Sequence, residues 1–486
     1  MNHRMIFNIL GKILVLEAAL LLFPLGVSLI YQEQSWYAWV ITIASLLVCG
    51  LLLVFLIKPK HNDFYAKDGF VVVGLSWVVM SLFGCLPFVI SRQIPSFVDA
   101  FFETISGFTT TGGSILSNVE VLSHSMLFWR SFTHWLGGMG VLVFILAILP
   151  NSNGQNIFIL KAESTGPQVG KLVSKLKFTA RILYLMYGAL TIIEMIFLLC
   201  GGMPIFDSIV NSLATAGTGG FAINNAGIGG YTIYSQVVIG VFMLLFGINF
   251  SIYYLLMVGK IKQVLHSEEL RWYLGIIFVA VAFITCDIMV NLPSLYQNNF
   301  GGALKDSFFQ VSSIITTTGF ATTNFNLWPT FSKIILFCLM FVGGCAGSTG
   351  GGMKVSRIII MIKSCIWDMK KMIHPNAVQD IKYEGGKLDK EVVEGVKGYT
   401  VVYALIIFVA SLIIAIDGLD FETTISSVVA CINNIGPGFG LVGPIGNFGD
   451  FSIPSKLVFI ILMLIGRLEV YPIILMLNPL TYSNKR

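Results

Sequence analysis

Long apolar runs, separated by short polar segments, account for most of this chain. Crossing the hydrocarbon core of a bilayer takes about 20 predominantly apolar residues in a helix, and ten runs approach or exceed that length. They cover residues 10–31, 36–58, 69–91, 122–149, 178–201, 231–258, 271–292, 330–362, 394–416 and 456–478, of which 330–362 is interrupted by glycines. The pattern predicts an all-α polytopic membrane protein with about ten transmembrane helices.

The first apolar run has two interpretations, because Arg4 and Lys12 precede it as they would in a secretory signal peptide. The stretch from Ile13 to Tyr31 is longer than the apolar core of a signal peptide and lacks a small-residue cleavage site. We therefore expect this run to be retained as the first transmembrane span.

The distribution of Lys and Arg predicts the orientation of the spans, because cytoplasmic loops of membrane proteins carry an excess of both residues. With the N-terminus placed inside, 24 of the 30 Lys and Arg residues fall on the inner side. The others are Arg92, Arg130, Lys305, Lys333, Lys456 and Arg467. Both termini are therefore predicted to be cytoplasmic.

Four outer connections are long, apolar and rich in Gly and Thr, and they resemble one another. They cover residues 92–121, 202–230, 293–329 and 417–455, here called loops 1 to 4. In loops 1 to 3, Gly112, Gly220 and Gly319 each follow an aspartate by 13 residues. In loop 4 the matching position is Thr423, and Gly436 takes the place of the glycine. The chain therefore contains a fourfold internal repeat.

Each repeat consists of a span, a loop that dips into the membrane and a second span, so that each repeat returns the chain to the inside. All four copies then share one orientation and can surround a pseudo-fourfold axis perpendicular to the membrane. The predicted units are two extra N-terminal spans in 1–66 and four helix–pore-loop–helix repeats in 67–160, 161–262, 263–380 and 381–486, the third with a broken second span.

Composition excludes several classes of protein. Hydrophobic residues make up 56% of the chain and charged residues 11%, whereas a soluble surface needs about 25% charged residues. The Lys and Arg residues form no dense basic face, which argues against a nucleic-acid partner. The eight cysteines are scattered without a CxxC motif, so neither disulfides nor a zinc site is predicted. The 49 glycines mark either close helix packing or backbone that leaves the helix.

The apolar stretch within each loop, of about twelve residues, is too short to cross a bilayer, but it can enter the bilayer and return. Non-helical backbone at membrane depth persists only where it lines protein or water, so four such loops would present carbonyl and Thr hydroxyl oxygens to a central path. Such oxygens suit a large monovalent cation. Asp99, Asp207 and Asp306 are predicted to cap the N-termini of the short helices. The alternative is that these segments are ordinary Gly- and Thr-rich surface loops.

The elements TTTGG, GTGGFA, TTTGFATTN and NNIGPG resemble the pore loops of the Trk/Ktr/HKT superfamily of potassium transport subunits, and the two extra spans resemble its TrkH/TrkG-like branch. The resemblance covers nearly the whole chain. In loop 2, Gly219 is an alternative to Gly220 as the filter glycine, although GFA after Gly220 and Gly319 favours Gly220. The resemblance implies a K⁺ selectivity filter made of Thr110, Thr111 and Gly112; Thr218, Gly219 and Gly220; Thr317, Thr318 and Gly319; and Asn434, Ile435 and Gly436.

A second glycine cluster, GGCAGSTGGGMK at 343–354, interrupts the eighth span and is called the glycine-rich segment below. A stable helix is not expected there, because each interior Gly costs about 1 kcal/mol relative to Ala. A phosphate-binding loop would need a GxxxxGK[ST] register that is missing here, and close helix packing remains an alternative. The resemblance implies an intramembrane gate that includes Gly347, Ser348, Thr349, Gly350, Gly351, Gly352, Lys354 and Arg467.

Two arginines within apolar runs need separate explanations. An intramembrane charge is costly and usually faces a cavity or a partner, so buried pairing with another segment is the alternative to a gating role for Arg467. Arg130 is adjacent to Trp129 and close to Trp135 in sequence. Because aromatic residues are enriched at membrane interfaces, Arg130 is expected to be an interfacial anchor.

The resulting hypothesis is a subunit that carries K⁺, its transported ion, down the electrochemical gradient through one channel-like pore per chain, without a cofactor of its own. A Na⁺- or H⁺-coupled symporter is the alternative, with Asp287 and Glu194 as candidates for a second ion site. An enzyme is not predicted, because the apolar segments carry no His/Glu metal motif and no GxSG-type serine. The resemblance further implies a homodimer, a cytosolic nucleotide-binding (TrkA/KtrA-like) regulatory subunit, and the inner membrane of a prokaryote.

Overall fold

The computed structural model describes residues 1–58, 66–140, 176–296, 299–375 and 380–479, and nearly all of their regular structure is helical. Two short strands, β1 (Lys382–Tyr383) and β2 (Gly386–Lys387), form an antiparallel hairpin. The helices are α1 (His3–Leu20), α2 (Leu22–Ile30), α3 (Trp36–Leu56), α4 (Ala66–Gly84), α5 (Leu86–Ile90), α6 (Phe97–Phe108), α7 (His124–Gly138), α8 (Leu176–Cys200), α9 (Ile205–Ala216), α10 (Ile233–Phe246), α11 (Phe250–Met257), α12 (Ile261–His266), α13 (Glu268–Asn291), α14 (Pro293–Tyr296), α15 (Phe300–Ile315), α16 (Thr330–Val342), α17 (Val355–Ile373), α18 (Lys390–Ile414), α19 (Phe421–Ile432), α20 (Ile453–Arg467) and α21 (Tyr471–Leu477).

Six helical segments in these ranges are long and apolar enough to cross a membrane. The pair α10 and α11 would make a seventh span, although its two helices meet at 90°. Together with the shorter apolar helices, these segments confirm the predicted all-α polytopic fold. The six are His3–Ile30, Trp36–Leu56, Lys67–Ile90, Arg181–Cys200, Glu268–Asn291 and Lys390–Asp417.

The second spans are broken more often than the sequence analysis predicted. The break in 330–362 is confirmed, but the continuous spans predicted at 231–258 and 456–478 are wrong. In the first of these, Asn249 starts α11 by accepting a hydrogen bond from the Ser251 amide (2.9 Å). In the second, Glu469 and Val470 leave the helix with φ angles of +57° and +67°. The predicted span 122–149 lies only partly within the described residues.

Glycine in the N-terminal helices serves close packing. Helix α1 lies against α3, and a Cβ atom on Gly11 would be 2.8 Å from the Gly50 carbonyl oxygen. A Cβ atom on Gly50 would in turn be 2.9 Å from the Gly11 carbonyl oxygen. Small residues allow two membrane helices to approach this closely. Both explanations of the glycine content therefore apply, in different parts of the chain.

Four short helices, α6, α9, α15 and α19, each end two residues before one of the triplets named above. The prediction that aspartates cap three of them is wrong. Ser96 caps α6, and Asp99 instead pairs with Lys456 of α20 at 2.7 Å. Asp306 lies inside α15, where it accepts a hydrogen bond from the Tyr296 hydroxyl group (3.1 Å).

The N-termini of α9 and α19 also differ from the predicted capping. Asp207 lies in the first turn of α9, where it accepts a hydrogen bond from the Tyr231 hydroxyl group (2.9 Å). In loop 4 the N-cap is Asp420, which accepts from the Thr423 amide (2.9 Å). The repeated aspartates of loops 1 to 3 therefore connect their helices to neighbouring segments. The aspartate that does cap a helix, Asp420, is in loop 4, which lacks the repeated aspartate, and the sequence analysis missed it.

Candidate functional site

The four triplets share one backbone conformation, with the first and third residues in the left-handed region. Non-glycine residues rarely adopt this region, and the strain must be offset by surrounding structure. The first residues, Thr110, Thr218, Thr317 and Asn434, have φ angles of +57°, +51°, +59° and +54°. The third residues, Gly112, Gly220, Gly319 and Gly436, have φ angles of +76°, +73°, +83° and +91°. The substitution of asparagine in loop 4 thus leaves the backbone course unchanged.

The triplets also meet in a closed ring, called the triplet ring below. Each third-position glycine faces the carbonyl oxygen of the middle residue in the next triplet, and the fourth faces the first. Cβ atoms built on Gly112, Gly220, Gly319 and Gly436 would lie 1.8, 1.9, 2.0 and 2.7 Å from these oxygens, which belong to Gly219, Thr318, Ile435 and Thr111. Gly220, not Gly219, is therefore the counterpart of the other three glycines.

An outer cavity of about 270 Å³ lies over the triplet ring and is lined by residues of all four loops, including the four third-position glycines. The ring offers backbone carbonyl oxygens and contains no carboxylate. The C-termini of four helices end beside it, and each carries a partial negative charge of about half an elementary charge. The arrangement favours a cation whose hydration shell carbonyl oxygens can replace.

The side chains behind the ring are not fourfold symmetric. In loop 4, Asn434 donates hydrogen bonds to the Thr111 hydroxyl oxygen and to the Met463 carbonyl oxygen, both at 2.9 Å. Behind loop 2 lies buried His134, whose Nδ1 is 2.9 Å from the Gly107 carbonyl oxygen. A Cβ atom on Gly219 would be 2.1 Å from that imidazole nitrogen. Loop 2 therefore has glycine at its middle position because the imidazole ring occupies the space.

Arg130 is buried, so its predicted role as an interfacial anchor is wrong. Its guanidinium group lies 2.7 Å from the carboxylate of Glu103 in α6, and both side chains are almost completely inaccessible. Glu103 also accepts a hydrogen bond from the Ile115 amide (3.0 Å), and Arg130 donates to the Ala222 carbonyl oxygen (3.2 Å). The ion pair therefore joins loop 1 to loop 2 just beyond the triplet ring.

Replacing Glu103 with glutamine should destabilise the protein, because it leaves the buried Arg130 charge without its partner. Breaking a buried pair in this way costs about 3–5 kcal/mol. Thermal unfolding in detergent would measure the change. Glu120→Gln is the matched control, because the exposed Glu120 also joins loops 1 and 2, by accepting from the Asn225 amide (3.0 Å). Equal melting temperatures for the two variants would contradict the prediction.

The glycine-rich segment lies behind the triplet ring and contacts the broken end of α10. The amide of Cys345 donates a hydrogen bond to the Gly247 carbonyl oxygen (2.9 Å). The Thr349 hydroxyl group donates one to the Phe246 carbonyl oxygen (3.2 Å). The last carbonyl groups of a helix lack partners within the helix. The break in α10 is therefore stabilised by a segment more than 90 residues further along the chain.

The same segment touches the triplets directly. The Gly351 amide donates to the Thr317 hydroxyl oxygen (2.6 Å), and a Cβ atom on Gly351 would lie 2.4 Å from the Asn433 carbonyl oxygen. The buried Lys354 ammonium group donates to the Gly350 carbonyl oxygen. A Cβ atom on Gly350 would lie 2.9 Å from the Thr316 carbonyl oxygen of loop 3, and one on Gly352 would lie 2.8 Å from the Gly343 Cα atom. Side chains would therefore not fit at residues 350–352, which explains the run of glycines there.

Arg467 connects three of these elements. It is the last residue of α20 and its guanidinium group is buried. One nitrogen donates to the Thr110 hydroxyl oxygen (3.0 Å) and to the Thr349 carbonyl oxygen (2.8 Å). The other donates to the carbonyl oxygens of Gly137 (2.5 Å) and Gly138 (2.6 Å), which end α7. A positive charge at the C-terminus of a helix is favourable, so Arg467 both caps α7 and holds the glycine-rich segment to loop 1.

The structure thus brings the predicted filter residues into one ring and places most of the predicted gate residues behind it. Gly347 instead lies against the start of α11, where its carbonyl oxygen accepts from the Phe250 amide (3.1 Å). Three contributors were missed by the sequence analysis: Glu103, His134 and Glu269, the last of which accepts a hydrogen bond from the Ala346 amide (2.7 Å). Glu103 and His134 lie in helices of apolar segments, where an acidic or imidazole side chain is expensive and marks function or pairing, and this is the signal that could have identified them. Glu269 precedes the apolar run 271–292 in a polar stretch, so nothing local distinguished it.

Four loops closed into a carbonyl-lined ring, within an all-α polytopic membrane fold, are typical of a transport protein, and comparisons with known proteins agree. The family model TrkH, described as a cation transport protein, matches residues 37–485. The chain therefore belongs to the TrkH family, as the resemblance in the sequence predicted. The Trk system potassium uptake protein TrkH of Salmonella typhimurium is 35% identical over 483 residues, 99% of either chain. TrkG of Escherichia coli is 32% identical over 479 residues, 98% of either chain.

A solved structure gives the same result for the fold. The crystal structure of the potassium transporter TrkH from Vibrio parahaemolyticus is similar to this chain with a TM-score of 0.89 and 33% sequence identity. The similarity covers 99% of this chain and 100% of that one. The relatives named here are transport proteins.

Proposed function

We propose that this chain is a K⁺ uptake subunit that conducts the ion down its electrochemical gradient through the triplet ring. The observation that carries the proposal is the ring itself, in which the carbonyl-bearing backbone of four loops closes around one point. Carbonyl dipoles replace the hydration shell of K⁺ in this kind of site. Relatives that match along almost their whole length are named potassium uptake proteins, which supports K⁺ as the ion.

Flux through the reconstituted single chain tests the proposal. In vesicles with K⁺ on one side and Na⁺ on the other, the bi-ionic potential reports both conduction and ion preference. We expect a K⁺ flux that needs no second ion. We also expect a bi-ionic potential with the sign that a preference for K⁺ over Na⁺ produces. Vesicles that contain correctly inserted protein but pass no K⁺ under any gradient would contradict it.

The glycine-rich segment is the proposed gate. It touches Thr317 of the ring and lies against Asn433, next to the ring, and Arg467 holds it to Thr110. A segment in this place obstructs an ion that leaves the ring. Movement of the segment away from the ring would open the path, and the glycines give its backbone the freedom to move.

A coupled symporter is the second candidate, and the burial of one carboxyl group favours it. Glu194 of α8 is completely buried, next to Thr215 of the short helix α9. The other candidate, Asp287, accepts hydrogen bonds from the amide and the hydroxyl group of Ser332 (3.1 and 2.5 Å), so it has a structural role at the start of α16. K⁺ uptake that depends on a Na⁺ or pH gradient in wild type, and not in Glu194→Gln, would establish the symporter.

The proposal extends to partners and location. The relatives are named as proteins of a Trk system, which supports assembly with further subunits. We propose a homodimer in a bacterial inner membrane, with both termini and a TrkA/KtrA-like nucleotide-binding subunit on the cytoplasmic side. The excess of Lys and Arg on one side of the predicted topology supports this orientation.

A further inference from the structure

One carboxylate outside the triplet ring faces the glycine-rich segment. Glu269 lies in the first turn of α13 and is 4% exposed. Its carboxylate accepts a hydrogen bond from the Ala346 amide at 2.7 Å. Lys354, the last residue of the segment, and Ser356, just beyond it in α17, lie close enough to influence the same carboxylate. The start of the segment is therefore hydrogen-bonded to one side chain of another helix, and the positive charge at its end lies near that side chain.

The segment needs such an anchor because glycine offers no side chain with which to hold its own position. An amide group at membrane depth must be satisfied within the protein, and a hydrogen bond to a charged acceptor is stronger than one to a neutral acceptor. The adjacent amide, that of Cys345, is already bonded to the Gly247 carbonyl oxygen. Loss of the Glu269 carboxylate would leave Ala346 without this contact and would free the start of the segment.

The β1–β2 hairpin controls where Glu269 lies. Glu384 is in the turn of the hairpin, and its carboxylate accepts hydrogen bonds from the Ser267 hydroxyl group and from the Glu269 amide, both at 2.9 Å. It thereby binds the free amide end of α13, where a negative charge is favourable. Buried Tyr383 packs the hairpin into the core beside α13. Two consecutive hydrogen-bonded contacts thus connect an exposed turn to the segment.

A third contact holds the hairpin in register with α13. The Lys363 ammonium group donates to the Lys382 carbonyl oxygen (2.7 Å) and pairs with Glu268 (2.5 Å). Lys363 belongs to α17, the helix that follows the glycine-rich segment. The hairpin, the start of α13 and the far end of the segment are therefore one connected unit on the side predicted to be cytoplasmic.

We infer that Glu269 is the positioning residue that holds the glycine-rich segment in its obstructing place, and that the hairpin sets Glu269 through Glu384. The inference rests on the proposed gate. It also indicates how a movement on the cytoplasmic side would reach the gate. Displacement of the exposed turn would move the start of α13 and would thereby lengthen the hydrogen bond between Glu269 and Ala346.

Labelling of Cys345 tests the inference without any measurement of flux. This thiol is completely buried beside Ala346, so a water-soluble maleimide should modify it slowly in the wild-type protein. Release of the segment should expose it. We expect about tenfold faster modification in Glu269→Ala, the change that the loss of one charge-assisted hydrogen bond gives. Glu269→Gln loses the same charge, which by itself makes the nearby thiol more reactive, but it retains an acceptor oxygen. Its rate should fall between the two, and the excess rate in Glu269→Ala over Glu269→Gln reports release of the segment.

The hairpin supplies a second variant and its control. Glu384→Ala removes an exposed side chain that contacts α13, and it should also speed up Cys345 modification. Lys387→Ala removes an exposed side chain of the same hairpin that pairs only with Asp380 among its described ion pairs, and it should leave the rate unchanged. The exposed Cys365 provides the internal reference for labelling by mass spectrometry.

Flux in the same proteoliposomes separates this inference from the proposed function. We expect Glu269→Ala to raise K⁺ flux while the bi-ionic potential stays at the wild-type value, because the gate changes and the ring does not. Wild-type rates of both labelling and flux in folded Glu269→Ala and Glu384→Ala would overturn the inference. Faster labelling in a protein that passes no K⁺ would instead overturn the proposed function and leave the anchor in place.

Discussion

Gly112→Ala is expected to abolish K⁺ uptake while the protein still inserts into the membrane. A Cβ atom at this position would lie 1.8 Å from the Gly219 carbonyl oxygen, and the backbone φ angle of +76° is one that alanine adopts only with strain. Both effects displace a carbonyl oxygen of the neighbouring triplet, so the substitution damages two loops of the ring. Complementation of a potassium-starved strain that lacks its own K⁺ uptake systems, together with the amount of protein in membranes, would measure the result.

The matched control is Gly188→Ala in α8. A Cβ atom there would meet nothing within 4 Å, and alanine is favoured over glycine in a helix. Uptake by this control should equal that of wild type. Gly319→Ala should behave like Gly112→Ala, because its Cβ atom would lie 2.0 Å from the Ile435 carbonyl oxygen. Normal growth of both ring variants at low K⁺ would show that the triplet ring is not the path.

Arg467→Ala is expected to leave the path open. The substitution removes the hydrogen bonds that hold Thr349 to Thr110 and cap α7, and it removes a positive charge from behind the ring. A cation that leaves the ring would then meet neither the obstructing segment nor the charge. We expect basal K⁺ flux in proteoliposomes to rise by about tenfold or more, as the loss of a charged hydrogen-bond network implies.

Arg467→Lys separates the charge from the geometry. Lysine retains the charge but carries one compact ammonium group in place of the planar guanidinium fork, so it cannot reach acceptors on three elements at once. Flux in this variant should lie between those of wild type and Arg467→Ala. Wild-type flux in both Arg467→Ala and Arg467→Lys would refute a gating role. A buried structural pairing, the alternative from the sequence analysis, would then account for Arg467.

The triplets of the four loops could be located from the sequence because they repeat. The spacing of 13 residues from Asp99, Asp207 and Asp306 placed three glycines at equivalent positions, and the structure gives those glycines one conformation and one type of contact. The aspartates themselves were misjudged. Hydrogen bonding at a helix N-terminus depends on where the helix begins, and a shift of a few residues turns a cap into an interhelical contact.

Buried charge was the weaker part of the prediction. Arg130 stands between aromatic residues in the sequence, and nothing local distinguishes an interfacial arginine from a buried one. Its partner Glu103 is 27 residues away, in the short helix of loop 1. The break at 247–249 was missed for a related reason, because its freed carbonyl groups are satisfied by Cys345 and Thr349, far along the chain. At 468–470 the amides of Glu469 and Val470 themselves bond the last carbonyl groups of α20, and no glycine or proline marks that turn in the sequence.

The sequence by itself determined that this chain is embedded in a membrane, that it contains four similar loops, and that Gly112 and Gly319 are equivalent. These properties follow from local composition and from spacing, both of which a linear chain records. Only the tertiary structure decided that Gly220 and not Gly219 belongs to the ring, that Arg467 caps α7, and that Glu269 holds the glycine-rich segment. Inside a membrane every freed backbone group must find a partner within the protein, and the partner is chosen by proximity in space.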